Sequence, residues 1–256
     1  MNSYKKNILV FDFDGVVCDS TYECLVTSWN AWQSFTKQDK YRYKVSEFTL
    51  EEIDYFKAFR YYVKGAGEYF TLRKIISDNK TSHIKSFEDF NSLGATWEEQ
   101  IKEFKPHMFS SRKILRDRSL ENWINLHKVY PEVTQIITKS IKEKNIYLAT
   151  LKDLESVQLI LSNEGIEFPS ERIFHQGLIS TKLEALIQIQ KIEKINPSNI
   201  LFFDDVVSHL LDPFELGFQT YQTSWGNVPK DYIIEAERRK IPLAELASLP
   251  SLCSIN

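Results

Sequence analysis

The feature that most constrains this chain is Ile8-Leu9-Val10-Phe11-Asp12-Phe13-Asp14-Gly15-Val16-Val17, an apolar run that stops at two carboxylates and a glycine. Ile8 to Phe11 has no polar alternation, the pattern of a strand buried on both faces in a parallel sheet. If that strand ran on through Asp14, period-2 geometry would turn the Asp12 and Asp14 side chains to one side. Two like charges that close are unfavourable unless one is protonated or a cation lies between them. The pattern calls for a hard divalent ion, with Mg²⁺ the first choice. Asp-Gly between apolar runs is also the signal of a β-hairpin, with Asp14-Gly15 as its turn and Asp12 an edge residue. The two are compatible, since a hairpin can sit directly over a site. An EF-hand calcium loop is excluded, because it needs a third oxygen ligand before its glycine.

A second acidic strand end lies far downstream. Ile200-Leu201-Phe202-Phe203 reads as another buried strand and stops at Asp204-Asp205. Open parallel α/β sheets bind ligands outside the carboxyl ends of their strands. Two such strands side by side would gather Asp12, Asp14, Asp204 and Asp205. A third strand, Ile146 to Ala149, ends in the hydroxyl of Thr150 and is followed by Lys152. Each of these has a plainer alternative. Thr150 could cap a helix, although Asp153 is better placed to do so. Lys152, like Lys182 in Ser180-Thr181-Lys182-Leu183-Glu184, could be a solvated surface lysine, or could touch a phosphate.

Four motifs in this order carry a family resemblance: Asp12-Phe13-Asp14-Gly15-Val16-Val17 with Asp19-Ser20, Thr150, Lys182, and Phe203-Asp204-Asp205 followed by Gly217. In them the chain resembles the haloacid dehalogenase-like hydrolases, particularly the phosphatase branch with an α-helical cap, phosphoglycolate phosphatases among them. The resemblance covers the N-terminal strand and most of the chain after about residue 130. It implies that Asp12 is the nucleophile, forming an aspartyl-phosphate. Asp14 would protonate the leaving oxygen and then activate water. Mg²⁺ would be held by Asp12, the backbone carbonyl of Asp14 and Asp205, with Asp204 in support. Thr150, Lys182 and Gly15 would bind the remaining phosphate oxygens. There is one departure: the family often has a second acidic residue four positions after the metal-binding aspartate, and here that position is His209.

The middle of the chain differs in texture. From about Thr21 to Leu126 no buried parallel strand is legible, but helical signals are frequent. Leu25, Trp29, Trp32 and Phe35 recur at helical spacing, as do Ile53, Phe56, Phe59 and Val63. Thr49-Leu50-Glu51-Glu52 and Thr96-Trp97-Glu98-Glu99 have the form of capping boxes. Lys57, Arg60 and Lys64 are expected on one helix face, and Gly65-Ala66-Gly67 at a turn or hinge. From Pro131 an alternating pattern returns. Helices are expected over Pro131–Lys144, Leu154–Glu164 and Leu183–Glu193, and strands at about 146–150, 172–174, 200–203 and 218–221. Asp212-Pro213 should restart a helix as cap and first position. The expected fold is α/β: a doubly wound, mainly parallel Rossmannoid core over residues 1–19 and 127–256, with an all-α cap inserted over residues 20–126.

The 256 residues, 43% hydrophobic with formal charge −3, suffice for a full core and a second domain. No long apolar segment is present and strand-like sequence begins at Ile8, so neither a membrane span nor a signal peptide is expected. Cys18, Cys24 and Cys253 show neither zinc spacing nor a disulfide framework, and Cys18 has the surroundings of an inert thiol. These features make a cytoplasmic setting the default and argue against a nucleic-acid or membrane partner, with the oligomeric state left open, while the family resemblance implies an enzyme acting on a small phosphorylated substrate. Two other classes share them. A phosphomutase would use the same aspartates but return the phosphoryl group to its substrate, and a non-catalytic binding protein would keep the fold without the chemistry.

Overall fold

The computed structural model describes residues 7–226 and 228–253. The extreme ends of the expected core, residues 1–6 and 254–256, lie outside the described residues. The chain divides into two compact units, Met1–Asp19 with Lys128–Asn256, and Ser20–His127.

The first unit carries strands β1 (Ile8–Phe11), β2 (Cys18–Asp19), β3 (Lys128–Val129), β4 (Ile146–Ala149), β5 (Ile173–Phe174), β6 (Ile200–Asp204), β7 (Gln219–Thr223) and β8 (Leu243–Ala244). Six of them form one sheet in the order β5-β4-β1-β6-β7-β8, and every pairing in it is parallel. β1, β4 and β6 are buried along their whole length, which is why their sequences lack alternation. The register aligns Phe11 with Phe203 and Phe203 with Tyr221. Their rings stack at 4.8 and 4.9 Å across three adjacent strands. Chain order reverses at β1, where a crevice at the strand ends is expected.

β1 makes no hairpin with the next strand. Both its edges are taken by β4 and β6, so Asp12 is not an edge residue. The chain does turn tightly at Asp14-Gly15: Val17 N and Cys18 N both donate to Phe13 O (2.9 and 3.0 Å), and Gly15 takes φ +91°. The short strand after that turn, β2, pairs antiparallel with β3 instead.

The second unit is helical: α1 (Thr21–Phe35), α2 (Leu50–Arg60), α3 (Tyr69–Ser77), α4 (Phe87–Ala95), α5 (Glu98–Arg118) and α6 (Leu120–Ile124). Trp32 and Phe35 of α1 pack on Phe70 and Phe104, with ring centroids 5.5 to 6.4 Å apart. A buried Glu23–Arg112 pair, 2.8 Å at its closest, ties α1 to α5. The Thr49 capping box forms, with Glu52 N on the Thr49 hydroxyl and Thr49 N on the Glu52 carboxylate. The one at Thr96 does not. Its hydroxyl donates to Leu93 O and closes the end of α4, while α5 starts after Trp97 without a side-chain cap. Lys57, Arg60 and Lys64 share no helix face either, because α2 stops at Arg60. Lys57 bonds the Tyr22 hydroxyl, Arg60 is buried, and Lys64 lies 4.3 Å over the Phe87 ring.

Gly65-Ala66-Gly67 enters a single turn of 3₁₀ helix at Ala66–Glu68, and Gly67 is needed for packing. A Cβ there would stand 2.5 Å from the carbonyl oxygen of Ile101. Gly67→Ala should therefore destabilise the protein by about 1–3 kcal/mol, the usual cost of overpacking. Gly65→Ala, with nothing within 4 Å, should cost far less. Urea denaturation of the two variants side by side checks this, and equal midpoints would contradict it.

In the first unit, α7 (Pro131–Glu143), α8 (Leu154–Asn163), α9 (Lys182–Glu193), α10 (Val207–Glu215), α11 (Lys230–Arg239) and α12 (Leu249–Leu252) complete the alternation. Pro131 opens α7 at its first position, and Asp153 caps α8 by accepting from Ser156 N at 3.0 Å. Pro213 does not restart a helix. α10 runs through it, since the ring removes a single backbone donor near the end of a helix whose buried face includes Val207, Leu210 and Pro213. Among the described residues no helix is long and apolar enough to cross a membrane.

Candidate active site

Three neighbouring strands deliver polar groups to the same end of the sheet. Asp12 follows β1, Thr150 follows β4, and Asp204 ends β6. Asp12 is buried, and its Oδ1 accepts from Phe13 N at 2.6 Å and from the Lys182 ammonium. Burial lifts the Asp12 carboxyl to about 6, with Lys182 opposing the rise and Asp204 adding to it.

Lys182 is brought there by helix capping. Thr181 caps α9, accepting from Glu184 N at 3.2 Å, while the Glu184 carboxylate accepts from Ser180 N at 2.7 Å. Lys182 is thus the first residue of the helix, one earlier than expected from the periodicity. Its buried ammonium donates to Ala149 O at 2.6 Å, bonds Asp12, and lies 3.7 Å from Asp204 Oδ2. Burial alone would lower its pKa, but the Asp12 and Asp204 carboxylates outweigh that and raise it.

Asp204 is fully buried, with a solvent exposure of 0%. It accepts from Val206 N at 2.8 Å and lies 3.2 Å, through each carboxylate oxygen, from His209 Nδ1. Burial pushes the Asp204 carboxyl up, but the neighbouring His209 and Lys182 and these hydrogen bonds overcome it, and the net direction is down. The histidine standing at the position of the expected second acid is therefore a partner of Asp204.

Asp205 takes a different seat. A Cβ on Gly15 would lie 2.1 Å from Asp205 Oδ2, so only a glycine lets that carboxylate approach the loop after β1. Gln222 Nε2 holds the Asp205 carbonyl at 2.9 Å, and Trp225 Nε1 holds Val16 O at 3.0 Å. Asp14 lies in the same loop. Because β1 ends at Phe11, period-2 geometry does not apply to it, and its Oδ1 pairs with Lys152 Nζ at 3.0 Å. Thr150 does not cap a helix; its Oγ1 accepts from Lys152 N at 3.1 Å, and its own N–H donates to Phe174 O.

The structure thus gathers Asp12, Lys182, Asp204 and His209 into one network, and Asp14, Lys152 and Thr150 into a second. It sets Asp205 against Gly15. Lys152, which two residues beyond Thr150 looks in the sequence like any surface lysine, is buried and paired. The four aspartates outnumber the two ammoniums, which favours a cation among them. Asp12, Asp204 and His209 each offer one ligand atom, all within 4.8 Å of one another. These three donors fit a divalent ion.

The fold is shared with several solved proteins. A predicted phosphoglycolate phosphatase from Haemophilus somnus superposes with a TM-score of 0.60 at 16% identity, covering 96% of this chain and 97% of that one. A haloacid dehalogenase-like family hydrolase from Streptococcus pneumoniae gives 0.55 at 12% identity, with 98% and 99% covered. A predicted phosphatase from Clostridium acetobutylicum gives 0.56 at 14%, with 97% of each chain covered. At these identities the likeness speaks for the fold alone. No curated protein matches the chain. The model of the haloacid dehalogenase-like hydrolases matches residues 6–210, a span that contains both acidic strand ends, Thr150, Lys182 and His209. On that match, over a parallel sheet that carries carboxylates at adjacent strand ends, the chain belongs to the haloacid dehalogenase-like hydrolase family.

Proposed function

We propose that this hydrolase is a Mg²⁺-dependent phosphatase that cleaves a small phosphorylated metabolite through an aspartyl-phosphate on Asp12. The observation that carries the proposal is the junction of Asp12, Lys182 and Asp204 at the ends of β1, β4 and β6, where strand order reverses. A carboxylate is a recognised covalent catalyst in phosphoryl chemistry. At about 6, the Asp12 carboxyl is mostly ionised at neutral pH and able to attack. Its oxygen forms a bond to phosphorus as the bond to the leaving oxygen breaks, and Asp14 gives that oxygen its proton. The alcohol departs. Asp14, now a carboxylate, takes a proton from water as the water oxygen bonds to phosphorus. The Asp12–phosphorus bond breaks, and phosphate and the original carboxylate return.

Lys182 and Thr150, with the Gly15 backbone, are proposed to hold the remaining phosphate oxygens. Asp12, the Asp14 carbonyl and Asp205, supported by Asp204, would hold the metal. When bound, Mg²⁺ neutralises charge so that an anionic carboxylate can approach an anionic phosphate. The helical unit is proposed as the cap that excludes water and selects substrate. A cytoplasmic setting is proposed on the three free, buried cysteines.

The test is phosphate release from a panel of phosphorylated metabolites. Activity should vanish in excess chelator and return with Mg²⁺ or Mn²⁺, while Ca²⁺, with its looser coordination, should restore it poorly. Full turnover in chelator would overturn the metal assignment. Isomerised product without free phosphate would replace phosphatase by mutase.

A further inference from the structure

We infer that Lys152 is a positioning residue for Asp14, its buried ammonium donating to one carboxyl oxygen and so holding the group in place while the other oxygen carries the proton that passes to the leaving oxygen. The inference rests on the phosphatase reading of Asp14.

Lysine is among the residues least often buried, since its hydrated ammonium and flexible stem both lose freedom inside a protein. Yet the Lys152 side chain has 0% exposure, and its Nζ lies 3.0 Å from Asp14 Oδ1. The backbone around it is fixed on both sides. Lys152 N donates to Thr150 Oγ1 at 3.1 Å, Lys152 O accepts from Gln176 N at 3.3 Å, and Asp153 caps α8 immediately after. The ammonium is therefore presented from a rigid strand end.

Asp14 is placed very differently. It precedes Gly15, which has φ +91°, in a tight loop, and its side chain is 22% exposed. Asp12 is held by the adjacent Phe13 N–H and by Lys182. The Asp14 bond to Lys152 spans 138 residues of sequence and ties the loop to the end of β4. A general acid must stand within hydrogen-bond reach of its target, and small displacements of a reacting group are costly. A charge-assisted bond from a rigid, buried donor supplies that restraint.

The experiment compares kcat/KM for an alkyl phosphate and for p-nitrophenyl phosphate in wild type, Lys152→Met, Asp14→Asn and the double variant. This ratio covers the steps through loss of the alcohol, where an alkoxide needs a proton and a nitrophenolate does not. Lys152→Met should lower the alkyl value about 10-fold or more and the aryl value far less. In the Asp14→Asn background, Lys152→Met should add almost nothing, because the two residues act as a unit.

Equal losses on both substrates, or a full additional loss in the Asp14→Asn background, would overturn the inference and make Lys152 a structural ion pair. A rise in the inhibition constant for inorganic phosphate with an unchanged alkyl-to-aryl ratio would make it a phosphate ligand instead. If Asp14→Asn itself shows no alkyl selectivity, the assignment of Asp14 as acid has failed, and this inference falls with it. Should Lys152→Met fail to fold, Lys152→Gln, a donor one bond shorter, must show the same alkyl-selective loss, and an unselective loss would refute it.

Discussion

Asp12→Asn is expected to lower turnover about 10³-fold or more while leaving the fold largely intact. The amide is nearly isosteric with the carboxylate but cannot attack phosphorus, so no covalent intermediate can form. Its oxygen can still accept from Phe13 N and from Lys182. Lys182 also keeps its bond to Ala149 O and its proximity to Asp204, so the buried ammonium is not stranded. The measurements are phosphate release by a preparation free of contaminating phosphatase, and a denaturation midpoint. Near wild-type release would remove Asp12 from the chemistry. A collapsed midpoint would leave the kinetic result uninterpretable on Asp12→Asn alone, and Asp12→Glu, which keeps the charge but displaces it, then decides.

The second large effect should come from Lys182→Met. This substitution removes the ammonium shared by two buried carboxylates, Asp12 and Asp204, and leaves like charges facing each other. Breaking a buried pair from one side costs about 3–5 kcal/mol, and activity should be lost as well. The pH dependence separates charge from packing. The Asp12 carboxyl in the folded protein already stands at about 6, above its usual 3.8. A group raised in this way contributes stability that is fully present below the ordinary value and is lost as pH rises through the folded one. Without Lys182 the folded value climbs further. The deficit of the variant should therefore be larger at about pH 8 than at about pH 5, as read by urea denaturation without metal. Equal deficits at both pH values would assign the effect to the lost lysine stem.

What could be read from the sequence, and what could not, divides along physical lines. β1, β4 and β6 were legible because strands buried on both faces leave unbroken apolar runs, and their ends were legible because carboxylates or a hydroxyl interrupt them. The expected strand at 200–203 extends one residue further, through Asp204, a carboxylate that its pairing with Lys182 and His209 allows inside the sheet. The two-residue strands β2, β3 and β8 have no period to detect. Local signals failed where a competing partner stood nearby: the Thr96 hydroxyl turned back to Leu93, and α10 absorbed Pro213. The Asp14–Lys152 pairing was illegible because its bond joins residues 138 positions apart, and nothing near either residue encodes it.

The antiparallel pairing of β2 with β3 has a consequence for how such a chain can change. Cys18 faces Val129 and Asp19 faces Lys128, so the two ends of the helical insertion are neighbours in a ladder that belongs to the sheet-bearing unit. To that unit the whole insertion is a single loop. The entropy of closing a loop grows only logarithmically with its length, each doubling costing about 0.6 kcal/mol. Residues could therefore be gained or lost between Ser20 and His127 at almost no topological expense to the sheet. Selection could then act on the insertion and on the carboxylates of the strand ends as two nearly independent heritable traits.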